Sequence, residues 1–203
     1  PVSSALASRL KALGVDIEKL GQLAGLPSGL LSHGREKVKL STRQFFDIWQ
    51  ALPRLTDDTA FGLRLDSDVA PEHYDIASVA ALHSATLGEA LQKVARYKRL
   101  VCPEELTLTE DGEAVRLHTR WTMAEGHAPE LLVDAMFASI TTLCRRGTGL
   151  AIQPRAIELT RHHDPASPLL RHFSCPIRFD APLDVLVFDR ALMQQPFITY
   201  NQD

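Results

Sequence analysis

The chain has 203 residues, 22 basic and 25 acidic side chains, and a formal net charge of −3. Its 45% hydrophobic and 23% charged content is that of an ordinary globular protein and excludes disorder, collagen and coiled coil. A chain of this length holds one domain, or one domain with a small helical appendage, and buries roughly 70% of its unfolded surface, so it needs no metal or disulfide staple.

No apolar run reaches the ~18–20 residues of a membrane span, and the N-terminus lacks the pattern of an export signal. The expectation is a cytoplasmic chain with no membrane partner. Mild acidity argues against a dedicated nucleic-acid binder, which carries a basic excess. The cysteines Cys102, Cys144 and Cys175 are odd in number and widely spaced, which fits buried thiols in a reducing compartment.

Residues 1–65 read as helices alone. Leu6, Leu10 and Leu13 recur at helical spacing from Ser4 up to Gly14, and Ile17, Leu20 and Leu23 follow Asp16 up to Gly25. A short helical piece is expected over Ser28–Ser32. Ser41-Thr42-Arg43-Gln44 is a capping box, opening a helix whose stripe is Phe45, Ile48, Trp49 and Leu52 and which Pro53 ends.

Residues 66–203 mix helices and strands. A helix is expected over Ile76–His83, and Thr86-x-x-Glu89 caps another that carries Leu87, Leu91 and Val94 and stops at Pro103. Leu106–Thr109 and Val115–Trp121 alternate with period 2 around Glu110-Asp111-Gly112, which reads as a hairpin. Its apolar face holds Val115, Leu117, Thr119 and Trp121, with Arg116, His118 and Arg120 pointing the other way. Glu130–Arg146 is a long helix apolar nearly all round, so it is buried on several sides or lies at a subunit interface. Short strands over Ala156–Thr160, Pro176–Asp180 and Asp184–Phe188, with a helical turn at Pro168–Phe173, complete an α+β fold: an N-terminal helical segment, then a small antiparallel sheet packed with helices.

Chemistry-bearing motifs are sparse. His162-His163-Asp164 and Glu72-His73 lack a third ligand at metal-binding spacing, so neither metal nor cofactor is expected. There is no Gly-x-Ser-x-Gly elbow, and Gly147-Thr148-Gly149 follows a helix where a phosphate cradle follows a strand. The chain is not expected to be an enzyme. Ala24-Gly25-Leu26 between helices imitates a helix-turn-helix, but the following piece through Gly34 offers only Ser and His to read bases, with Arg35, Lys37, Lys39 and Arg43 as a basic edge. Tyr74, His83, Arg96, Tyr97 and Trp121 are the candidates to line an apolar pocket with orienting polar groups. Met136, Phe137 and Ile140 are the candidates for a dimer interface.

The order of segments resembles the N-terminal regulatory domain of AraC/XylS-type bacterial transcription regulators. The resemblance rests on Leu20-Gly21-Gln22-Leu23-Ala24-Gly25-Leu26-Pro27, on Val38-Lys39-Leu40-Ser41, and on Asp58 with Gly62-Leu63. It continues through Ser84-Ala85-Thr86-Leu87-Gly88-Glu89-Ala90-Leu91 with Arg96-Tyr97, to Phe173-Ser174-Cys175-Pro176-Ile177-Arg178-Phe179, Leu186-Val187-Phe188 and Leu192 with Pro196. It implies an effector-sensing, homodimerising domain that takes a small molecule and meets DNA only through a C-terminal helix-turn-helix domain absent from this chain. A dimerisation module without effector, and a stand-alone repressor using the N-terminal helices on DNA, are the alternatives.

Overall fold

A computed structural model describes residues 4–31, 39–65 and 76–200. The element order is α1 (Ser4–Ala12), α2 (Ile17–Leu23), α3 (Thr42–Ala51), α4 (Phe61–Leu65), α5 (Ile76–Leu82), α6 (Leu87–Val101), β1 (Glu104–Asp111), β2 (Ala114–Trp121), α7 (Glu130–Thr148), β3 (Ala156–Glu158), α8 (Leu169–His172), β4 (Ile177–Arg178) and β5 (Val185–Asp189). The architecture is α+β: an N-terminal helical segment and one five-stranded, mostly antiparallel sheet in the order β1-β2-β5-β3-β4.

Local chemistry starts and stops the helices. Asp16 caps α2 by accepting from the Lys19 N–H at 3.0 Å, and the Ser41–Gln44 capping box closes in both directions at the start of α3. Thr86 caps α6 through the Glu89 N–H at 3.3 Å, but the Glu89 carboxylate reaches one residue further back than a capping box requires and accepts from the Ala85 N–H at 2.9 Å. The piece expected as a helix from Ser28 is a turn as far as Leu31, because Gly29 takes a positive φ; Ser32 and the basic edge through Lys37 lie outside the described residues. Helix α4 is the element that periodicity did not show.

The sheet register settles its two faces. Glu104, Leu106 and Leu108 of β1 stand opposite Trp121, Thr119 and Leu117 of β2, and residues directly opposite share a face. Leu117 in turn pairs with Leu186, and Leu186 with Ile157. Leu106, Leu117, Leu186 and Ile157 build one core with Leu91, Val94, Phe137, Phe173 and Phe188. The other face carries charge pairs, Arg116 bonded to Glu158 and Arg120 to Glu105, each at 2.8 Å, around buried Val185 and Val187. The hairpin strands run to Asp111 and from Ala114, longer than alternation alone indicated. One pair departs from the antiparallel expectation: β3 and β4 are parallel, since α8 carries the chain back across the sheet.

A second core joins α1–α4 and includes Leu10, Leu20, Ile48, Trp49, Leu52, Phe61 and Leu65. Helix α7 serves both cores: Val133, Phe137, Ile140 and Cys144 belong to the first, and Ala135, with Leu131 and Leu132 against it, to the second. Gly62 permits the close approach of α4, for a β-carbon there would sit 2.8 Å from the Leu131 carbonyl oxygen.

The chain after β5 lies as a strap over the start of α6 and the end of α7. The Leu87 N–H donates to the Gln195 carbonyl at 2.9 Å, the Phe197 N–H to the Ala85 carbonyl at 3.0 Å, and the Ile198 N–H to the Gly147 carbonyl at 2.7 Å. Helix α7 therefore runs through Gly147 to Thr148, past the stop expected at Arg146: with no side chain, Gly147 seats the Phe197 ring. A methyl group at Gly147 would overlap that ring. Gly147→Ala is expected to cost about 1–3 kcal/mol, read as a lowered urea midpoint at unchanged slope.

Candidate functional site

The corner where α6 meets the hairpin gathers charge and aromatic surface. Cys102 breaks α6 with an extended backbone, Pro103 follows, and the Thr122 N–H ties back to the Pro103 carbonyl at 3.0 Å. Glu104 then begins β1 on the helix-facing side, 3% exposed. One of its carboxylate oxygens accepts from the Thr119 hydroxyl at 3.0 Å, and the other faces Lys98 Nζ at 3.4 Å. Cys102 Sγ lies 3.7 Å from that second oxygen. Burial pushes the Cys102 thiol up to about 11, against the pull of Lys98, so it stays protonated at neutral pH.

Trp121 stands directly across the ladder from Glu104. Its ring meets Phe46 edge-on at 5.1 Å and Phe45 at 5.6 Å with a 33° tilt. Both phenylalanines come from α3, so this indole joins the N-terminal helices to the sheet. Phe46, outside the stripe read from periodicity, is buried with this contact, and Phe45 is half-buried.

The five pocket candidates do not all converge here. Trp121 is at the corner, and half-buried Tyr97 and exposed Arg96 precede Lys98 on α6. His83 lies beyond the opposite end of that 15-residue helix, a helix length of about 22 Å away; it is exposed, and its carbonyl accepts from Lys93 Nζ at 3.2 Å. Tyr74 lies outside the described residues, as do Glu72 and His73. Sequence reasoning passed over Glu104, Lys98, Thr119, Phe45 and Phe46 as site residues. One signal was available: Glu104 is a charge in phase with Leu106 and Leu108 on the apolar side of a period-2 strand.

Of the three interface candidates, Phe137 and Ile140 are interior to the single chain, and Met136 is partly buried against the same core. Near them lies a second polar cluster. The Arg161 guanidinium pairs with Asp134 of α7, with Glu130 3.5 Å away; the side chains of Arg161 and Asp134 are 12% and 7% exposed. Asp184 accepts from the Thr160 N–H at 2.8 Å beside it. The pair fastens α7 to the segment after β3. The histidines that follow diverge, His162 pairing with Asp180 and His163 lying edge-on to Phe179 at 4.9 Å.

The family comparison, not the side-chain clusters, defines the class: a regulatory domain of a transcription regulator. Residues 14–197 match the N-terminal arabinose-binding domain of AraC transcription regulators, and the chain belongs to that family. No curated protein matches the chain in sequence. Among solved structures, it is similar to the transcriptional regulator CdpR from Pseudomonas aeruginosa, with a TM-score of 0.59 and 13% identity. The match covers 82% of this chain and 60% of CdpR; at that identity it speaks to the fold.

Burial raises the Asp134 carboxyl, and Arg161 opposes the rise. In Arg161→Met the buried carboxylate loses its partner, an expected cost of about 3–5 kcal/mol at neutral pH. Without the guanidinium the carboxyl rises further above its unfolded value, so the penalty belongs to the charged form and fades as pH falls through the folded pKa. Denaturant unfolding at pH 7 and about pH 4 should show a loss that shrinks on acidification.

Proposed function

We propose that this chain is the effector-sensing and dimerisation domain of an AraC-type transcription regulator, controlling DNA binding by a C-terminal helix-turn-helix domain. The observation that carries the reading is the family match across residues 14–197. In this reading residues 1–65 form a helical subdomain and 66–203 the effector-binding and dimerising portion, and the protein works in the cytoplasm as a regulator without catalysis. No described helix is long and apolar enough to cross a membrane.

The architecture supports a sensing mechanism. A small molecule bound between the helices and the sheet touches α6, the hairpin and α3 together at the Trp121 corner. An effector with different affinities for two arrangements of these elements shifts their populations by that difference, and DNA affinity changes with them. The net charge of −3 accords with a part that does not itself grip phosphates.

Thermal unfolding against a panel of amino acids, sugars, fatty acids and polyamines tests the sensing step. A ligand at 100 times its Kd adds about 2.7 kcal/mol of stability, which reads as a clear rise in Tm. A panel without any rise, from a chain that is still dimeric, leaves a dimerisation-only module. Dimerisation itself is tested at Met136, the interface candidate that keeps surface outside the core: Met136→Glu should sediment as a folded monomer, and a folded dimer would remove α7 from the interface.

A further inference from the structure

Glu104 is a charge in a layer otherwise given to packing. The helix-facing positions further along β1 are Leu106 and Leu108, yet here a carboxylate is 3% exposed. Its match is loose. Lys98 Nζ stands at 3.4 Å, where the outer-face pairs Arg116–Glu158 and Arg120–Glu105 close to 2.8 Å. The Lys98 side chain is 29% exposed, and its flexible four-carbon stem lets the ammonium leave for water without moving backbone.

Beside the carboxylate stands Trp121, directly across the ladder. Its indole meets the two α3 phenylalanines, and both Trp121 and Phe45 keep solvent-facing surface. A desolvated carboxylate with a tryptophan as its cross-strand neighbour matches one ligand chemistry well. An ammonium group satisfies the anion through charge-assisted hydrogen bonds, and its alkyl carbons and charge are attracted to ring faces. An anionic group would place two negative charges together, and a neutral one that displaced Lys98 would leave a buried charge unpaired.

We infer that the Glu104–Trp121 corner receives the ammonium group of a small organic amine, and that the Lys98 ammonium is its resident occupant in the absence of ligand. This rests on the effector-sensing reading above and adds to it the charge and class of the effector. Exchange of Lys98 for a ligand cation removes the ion pair between the last turn of α6 and the start of β1, at the corner where Trp121 also meets α3. One substitution of cation thus reaches three elements.

Ethylammonium and putrescine are the probes, with sodium chloride at equal ionic strength as the control, and Tm and tryptophan emission as readouts. Wild type should respond saturably to the amines and not to sodium. Lys98→Ala empties the site: its Tm should fall, and the amines should restore it at concentrations about tenfold or more lower than wild type needs, since the competing occupant is gone. Glu104→Gln should abolish the response. Amines that stabilise Lys98→Ala no better than sodium, or a folded Glu104→Gln that still responds, overturn the assignment; should neither variant fold, absence of a saturable wild-type response does so. A sugar or fatty acid that raises Tm where amines do not removes the amine site and leaves the sensing reading standing, whereas a chain that responds to no class of compound loses both.

Discussion

Helix α7 has apolar side chains on nearly every side, and the rest of the fold is arranged to cover them. A helix of that kind is stable only with neighbours all round. Here the sheet, with α5 and α6, covers the side bearing Phe137, Ile140 and Cys144, and the N-terminal helices cover the side bearing Leu131 and Ala135. The two hydrophobic cores therefore share one wall. A shift of α7 cannot relax one core without disturbing the other.

Polar groups buried along this wall are few, and each has a positional task. Thr141 and Thr148 turn their hydroxyls back onto the Phe137 and Cys144 carbonyls at 2.8 and 2.7 Å, satisfying themselves within the helix. Asp134 cannot do that, and Arg161 comes from beyond β3 to meet it. The pair sets the registry of α7 against the far side of the sheet, because an unpaired charge at that depth costs several kcal/mol. Glu104 at the start of β1 faces a cation from α6 instead, Lys98 at 3.4 Å.

The two polar clusters differ in the exposure of their cations. At Arg161 the cation is buried and held by Asp134 with Glu130 in reach; at Glu104 the cation is solvent-accessible and its aromatic neighbours belong to a different part of the chain. Family membership places the protein among the regulatory domains of AraC regulators, and the two clusters differ in how far water reaches the cation, the Arg161 side chain being 12% exposed and that of Lys98 29%.

Sequence alone determined what depends on a few neighbouring residues. The caps at Ser41 and Thr86, the hairpin around Gly112, the two faces of β2 and the all-round apolar character of Glu130–Arg146 follow from backbone hydrogen bonding and from periods of 2 and 3.6, which act over one or two turns. The order of its motifs also carried the resemblance to AraC regulators. Tertiary structure decided everything that joins distant segments: the burial of Phe46, which needs Trp121 from another element; the run of α7 through Gly147, which needs Phe197; and the parallel β3–β4 pair. It also decided that His83 stands a helix length from Trp121, and that Glu104 rather than His83 is the charge beside it. No local signal encodes such neighbours, because strand register and helix packing bring together residues far apart in the chain, and only the closed fold specifies which side chains then share one desolvated corner.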